Sequence, residues 1–138
     1  MRVLIDTNVF VDRENYHVIP KNLQELLRIL NTMKVEILVH PRSIDEVKRD
    51  RNEERRKITL SKIYTYQFLE SPPDPNSDTH FVNIAGFPSN INDHVDNAML
   101  YAVYRDAVDF LISEDKGIYN KALKLALDDR VLSSKEAL

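Results

Sequence analysis

Arg2-Val3-Leu4-Ile5-Asp6-Thr7-Asn8 is a short apolar run that ends on a carboxylate, and it decides how the rest of the chain is read. A β-branched and Leu-rich segment of this length reads as a buried strand, and Asp6 stands where that strand leaves the core. A second run of the same form, Phe110-Leu111-Ile112-Ser113-Glu114-Asp115, lies far along the chain. Glu46 and Asp96 fall near the starts of segments with helical spacing. In a parallel sheet, strand exits and helix starts face the same edge, so these four acids converge on one small volume. Carboxylates so crowded raise one another's pKa values unless cations neutralise them. The natural occupant is a hard, oxygen-seeking ion, Mg²⁺ or Mn²⁺.

Working outward, Pro20 to Lys34 places Leu23, Leu26, Leu27 and Leu30 at helical spacing, with Pro20 suited to a first turn. Val35 to His40 is the next apolar run, stopped by Pro41, and the spacing predicts one long helix from about Ser43 to Phe68. Pro72, Pro73, Pro75, Gly86 and Pro88 mark Ser71 to about Asn90 as a loop, an insertion or a lid. From Ile91, the positions Val95, Ala98, Met99, Ala102 and Val103 define another helix, followed by a strand over Val108 to Ser113. Lys116 to Asp128 reads as a helix and Arg130 to Leu132 as a last strand. Such alternation argues for an α/β layer fold with a largely parallel sheet.

The 138 residues, 43% of them apolar, suit one domain, residues 1–138. The absence of cysteine removes disulfides, thiolate metal sites and thiol catalysis, and is compatible with a reducing compartment. No apolar stretch approaches membrane-spanning length, so the expected location is the cytoplasm with no membrane partner. Ser133-Ser134-Lys135-Glu136 resembles a capping box opening a helix close to Leu138, which predicts a natural chain that continues into a second domain. The net charge of −3 argues against a generally basic nucleic-acid surface. Lys48, Arg49, Arg51, Arg55, Arg56, Lys57 and Lys62 nevertheless give one segment a local basic excess, either a solvated helix face or a positive flank to the acids.

Each acid also has an ordinary explanation. Asp6 can begin a turn, and Asp115 can cap the next helix. Ser43-Ile44-Asp45-Glu46 fits a capping box, in which Glu46 returns to the Ser43 amide. Asp93 and Asp96 share a helix face off the apolar stripe, and Asp93 is the closer to the helix start, where a carboxylate is already favoured. Asp96 is therefore preferred as ligand and Asp93 kept as an extra candidate. His17, His40, His80 and His94 lack ligand spacing and are assigned no catalytic role. Tyr64 and Tyr66 are read as packing or surface residues in preference to base-stacking ones.

Taken together, Leu4-Ile5-Asp6-Thr7-Asn8-Val9-Phe10, Glu46 after a second strand, Asp96-Asn97-Ala98-Met99-Leu100 and Phe110-Leu111-Ile112-Ser113-Glu114-Asp115 resemble the PIN domain over nearly the whole chain. The resemblance implies a three-layer fold with a central, mainly parallel sheet flanked by helices, and a Mg²⁺- or Mn²⁺-dependent ribonuclease. Carried over position by position, Asp6, Glu46, Asp96 and Asp115 form the acidic quartet, with Asn8 and Ser113 as supporting polar residues. Lys48, Arg49 and Lys116 are the basic residues to examine for RNA phosphate contacts. PIN-like proteins include toxins of toxin–antitoxin pairs, so the implied partners are RNA, an antitoxin or a fused domain, and a second copy of the chain. A haloacid-dehalogenase-like phosphatase would want a second Asp where Asn8 stands, and a receiver module would want an acidic pair after the first strand. The remaining rival is a PIN-like module that binds RNA or a partner without cutting.

Overall fold

The computed structural model describes residues 1–10 and 21–137. Pro20 and His17 lie outside them. Among the described residues, five strands form one parallel sheet in the order β3-β2-β1-β4-β5: β1 (Arg2–Ile5), β2 (Glu36–Val39), β3 (Gln67–Phe68), β4 (Phe110–Ile112) and β5 (Val131–Leu132). The register pairs Val3 with Ile37 on one side and with Phe110 on the other. From β1 the chain builds outward through β2 to β3, then returns to the other side of β1 to lay down β4 and β5. The reversal falls between β1 and β4.

Alternation along each strand sends successive side chains to opposite faces of the sheet. Val3, Ile5, Ile37, Val39 and Ile112 pack with Leu26 and Leu27 of α1 (Lys21–Thr32), Val47 of α2 (Arg42–Lys48) and Ile63 of α3 (Glu53–Ile63). Leu4, Leu38, Leu111 and Val131 face the other way, against α4 (Thr79–Ala85), α5 (Ile91–Tyr104) and α6 (Lys116–Lys124). The result is the expected α/β arrangement of three layers, helix on sheet on helix. Helix α5 is buried along Asn97 to Val103 as well as at Val95, more of its circumference than the Val95/Met99/Ala102 stripe implies, because it packs against the sheet with α4 and α6 beside it.

Two expectations need correction. The single helix from Ser43 to Phe68 is two helices and a strand. Asp50 accepts from the Asn52 amide at 3.0 Å, and the Asn52 side chain then caps α3 by accepting from Arg55 N at 3.0 Å. Side chains that bond their own backbone in this way compete with helix continuation, so the chain turns at Arg49 to Asn52 despite a high content of helix formers. Beyond α3, Gln67–Phe68 pairs with Leu38 and Val39 as an edge strand that is too short to show a period. The Ser71 to Asn90 segment is likewise more than a loop. Pro75–Ser77 forms a 3-10 turn, and Asp78 caps α4 by accepting from Phe81 N at 3.0 Å. Phe81 is wholly buried, with its ring 4.8 Å from that of Tyr101 and 5.3 Å from that of Tyr104. The capping box near the end does form: Ser133 N donates to Glu136 Oε1 at 3.2 Å and Glu136 N to Ser133 Oγ at 3.1 Å, opening α7 (Ser134–Ala137).

Phe81→Ala distinguishes a structural α4 from a surface insertion. Its loss is expected to destabilise the fold by about 3–5 kcal/mol, the range for emptying a buried aromatic site. Urea unfolding of the variant checks this, and a change within about 0.5 kcal/mol would return the segment to the surface class.

Candidate active site

At the seam between β1 and β4, Asp6 N donates to Ile112 O at 2.9 Å, so the two strand exits leave the sheet side by side. Asp6 is 1% exposed. Its Oδ2 accepts from Ser113 Oγ at 2.8 Å and its Oδ1 from Asn8 N at 3.2 Å, which fixes the carboxylate plane. Ser113 Oγ also accepts from Asp115 N at 3.1 Å. This is the topological switch point of the sheet, the place where open α/β folds bind ligands.

Three helices bring the other acids here. Glu46 sits on α2 with its carboxylate half-buried, and the Asn8 side chain hydrogen-bonds to it. The Ser43 capping box does not form: Pro41 occupies the cap position without a side-chain bond, and the Ser43 hydroxyl is buried against Met99 Sδ at 3.9 Å. Glu46 is thereby left free to face Asp6. Asp96 comes from the second turn of α5. Asp115 does cap α6, its Oδ1 accepting from Gly117 N at 2.7 Å and Ile118 N at 3.3 Å. Capping and clustering coexist, because the charge of Asp115 acts on Asp6, Glu46 and Asp96 alike. Gly117 fits the cap closely: a Cβ there would stand 3.0 Å from Asp115 Oδ1.

The electrostatics follow from this crowding. Burial, reinforced by Asp115 and Glu114, pushes Asp6 up to about 6 against the lowering effect of the Ser113 and Asn8 hydrogen bonds. Burial and the Asp6 charge push Glu46 up to about 7. Burial and the charges of Asp6, Asp115 and Glu46 push Asp96 up to about 8.

A sequence model of the PIN domain family matches residues 2–117. The chain belongs to the PIN-domain family. No curated protein and no solved structure matches it. PIN domains are nuclease-type folds that typically use divalent metals, and the donors of this one suit a hard cation: carboxylate oxygens whose mutual repulsion a divalent charge relieves. Among the described residues no three acidic or histidine side chains form a ready-made cage, so the fit rests on the chemistry of the donors.

Asp93 is placed differently from the other acids of this PIN domain. Its Oδ2 accepts from Ser89 Oγ at 2.7 Å and Ser89 N at 3.3 Å, and these bonds hold its pKa below the usual carboxylate range. It is not among the charges that raise Asp6, Glu46 or Asp96.

Two residues missed in the sequence complete the picture. Lys121 on α6 donates to Asn97 Oδ1 at 3.0 Å, and its charge opposes the rise of Asp96. Asn97, 1% exposed, passes the bond on through Nδ2 to Gly86 O at 3.1 Å. The polar Asn97 inside a buried apolar run was a visible signal. Lys121 had none, since its partner is reached only when α6 folds against α5.

A cleft of about 540 Å³ opens beside Glu46, lined by Asn8, Arg49, Asp50, Arg55 and Asn92 among others. A second, of about 410 Å³, is lined by Arg42, Lys48, Arg49 and His94 among others. Exposed Arg49 is shared by both, whereas Arg55 is bound to Asp50, with Nη2 to Oδ1 at 2.7 Å. Lys116 lies on the far side, in a cleft with Ser113, Asp115 and Tyr119. His40 is buried, with Nδ1 accepting from Arg42 N at 3.1 Å, and burial with the Arg42 charge lowers it to about 4. It is therefore neutral at physiological pH. Among the described residues no helix is long and apolar enough to cross a membrane.

A carboxyl raised in the folded state holds a proton that the unfolded chain has released. The associated stability is present in full below the ordinary value of 3.8 for Asp and 4.5 for Glu, and is lost as pH rises through about 6, 7 and 8. For buried Asp6 alone the loss is on the order of 3 kcal/mol. In chelator, the melting temperature is therefore expected to fall from pH 5 to pH 8, and Mn²⁺ at pH 8 is expected to restore it. Asp6→Asn should flatten the pH dependence and remove most of the metal response. Thermal scans check this, and a metal-insensitive melting temperature in the parent chain would refute it.

Proposed function

We propose that this PIN domain is a Mg²⁺- or Mn²⁺-dependent endoribonuclease that hydrolyses RNA phosphodiester bonds. The observation that carries the reading is the gathering of Asp6, Glu46, Asp96 and Asp115 at the switch point, where the charges of Asp6 and Asp115 act on Glu46 and those of Asp6, Asp115 and Glu46 act on Asp96. These four carboxylates would hold the metal. The bound ion would supply Lewis acidity and an activated water for phosphodiester hydrolysis.

The chain's own residues do the positioning. Ser113 and the Asn8 amide orient Asp6 through its two oxygens. The Asn8 side chain reaches Glu46, so one residue sets the relation between two acids. Asp115 is held rigid by the α6 amides, with Oδ1 committed to the cap. Arg49, on the wall of the cleft that Glu46 lines, would meet a substrate phosphate with a planar, two-pronged donor. Lys48 lines the neighbouring cleft, and Lys116 flanks Asp115 on the other side. The acids would act by holding charge and orientation, and none is assigned as a nucleophile.

Labelled single-stranded and structured RNA, with a DNA strand of the same sequence as control, is the substrate for the test, in Mn²⁺, Mg²⁺ or chelator. Cleavage is expected only with metal. Ser113→Ala, which removes an orienting bond, should lower the rate about 10- to 100-fold, and Asp6→Asn or Asp96→Asn should lower it further. In Asp6→Asn the new side-chain amide can turn its oxygen to the Asn8 N–H and its NH₂ to Ser113 Oγ, so the fold is retained. Arg49→Ala should raise KM more than it lowers kcat. Full activity of Asp6→Asn would remove the central member of the site. RNA binding without cleavage under every metal condition would favour a non-catalytic binding module.

A further inference from the structure

Phe87 is 86% exposed, while Phe68, Phe81 and Phe110 are wholly or half buried. It stands between anchored neighbours. Gly86 takes φ +98°, a conformation that side chains rarely adopt, and its carbonyl is held by the buried Asn97 amide at 3.1 Å. Gly86 N donates to Val82 O at 2.8 Å, closing α4. On the other side Pro88 is buried and Ser89 is bonded twice to Asp93. The ring is thus presented to water from a backbone fixed before and after it, and a residue preceding proline has few conformations of its own.

The loop also lies at the acidic edge. Helix α5 leads into β4, so its start, and the loop before it, sit at the end of the sheet where β1 and β4 exit. Asn97, which grips Gly86, adjoins Asp96 in sequence and is in turn gripped by Lys121, whose charge reaches Asp96. The Phe87 Cα is one link of about 3.8 Å from that of Gly86. Its exposed chain neighbours Asn83, Ser89 and Asn90 are polar, and the apolar Val82, Ile84 and Ile91 of the same stretch pack on the core, which favours a base over a protein surface as the occupant of this single ring.

We propose that Phe87 is a base-stacking platform, on which an unpaired nucleotide of a single-stranded RNA rests while the neighbouring phosphodiester lies at the acidic edge. This rests on the nuclease reading and adds to it one contacting residue, Phe87, which takes a splayed base, since in a duplex every base face is already covered. A ring carried on an anchored backbone gives up only side-chain freedom on binding, and every base offers a face, so the platform supports affinity without sequence preference.

The test measures cleavage in Mn²⁺ and binding in Ca²⁺, with a fluorescein-labelled single-stranded RNA and the same RNA annealed to its complement. Phe87→Ala is expected to raise KM and Kd for the single strand about tenfold with kcat nearly unchanged. Phe87→Trp should restore both, and duplex binding should not change. Asn97→Ala, which frees Gly86, should shift KM in the same direction as Phe87→Ala. An abasic site at one position of the strand should abolish the difference between parent and Phe87→Ala. If the parent cleaves single-stranded RNA and Phe87→Ala matches it, the platform fails and the nuclease reading stands. If the parent neither cleaves nor binds RNA, both fail. A change in sedimentation of Phe87→Ala with unchanged RNA constants would overturn the platform in favour of a protein contact.

Discussion

A carboxylate buried at the end of a central strand is the constraint around which this fold is arranged. Asp6 has almost no contact with water, and two donors, Ser113 Oγ and Asn8 N, stand in for solvent at its oxygens. Both donors exist there only because β4 lies beside β1 and the chain turns sharply after Ile5. Even so the group is held at a cost, since burial outweighs both bonds and leaves its proton harder to lose. Glu46 and Asp96, brought to the same seam, carry the same penalty, burial and neighbouring charge raising both.

Helix α5 connects this site to the core. Its buried residues, Val95 and Asn97 to Val103, make it the packing partner of β4 and of the aromatic pair with Phe81, and the same rigid element carries Asp96. Tyr101 donates to Asp78 Oδ2 at 2.9 Å, which joins the cap of α4 to α5. The segment with the richest turn chemistry in the chain is therefore anchored to the helix that supplies a site residue. Asn97 extends the connection outward, to Lys121 on one side and to the Gly86 carbonyl on the other.

The site was legible to the extent that it rests on strand exits. Asp6 and Asp115 follow apolar runs whose burial needs no knowledge of partners, and Asp96 keeps its place on a strongly periodic helix. Glu46 was harder, because Ser43 and Glu46 have the spacing of a capping box and nothing local says that Ser43 turns inward toward Met99. The long-helix expectation failed for a related reason: one Asp and one Asn interrupt a stretch otherwise rich in helix formers, and such side chains act through specific backbone bonds that an average over the window hides. Edge strand β3, two residues long, carries no period to read.

By itself, the sequence determined the alternation of strands and helices, the parallel sheet, the positions of the acids and membership of the PIN-domain family, because all of these follow from burial periodicity and motif order. Only the tertiary structure decided which acids face one another, that Asp93 bonds Ser89 instead, that Lys121 and Asn97 stand beside Asp96, and that Phe87 projects from a fixed loop. Those outcomes depend on contacts between residues far apart in the chain. Their energies come from burial and charge in a shared volume, which exists only once β4 has closed against β1.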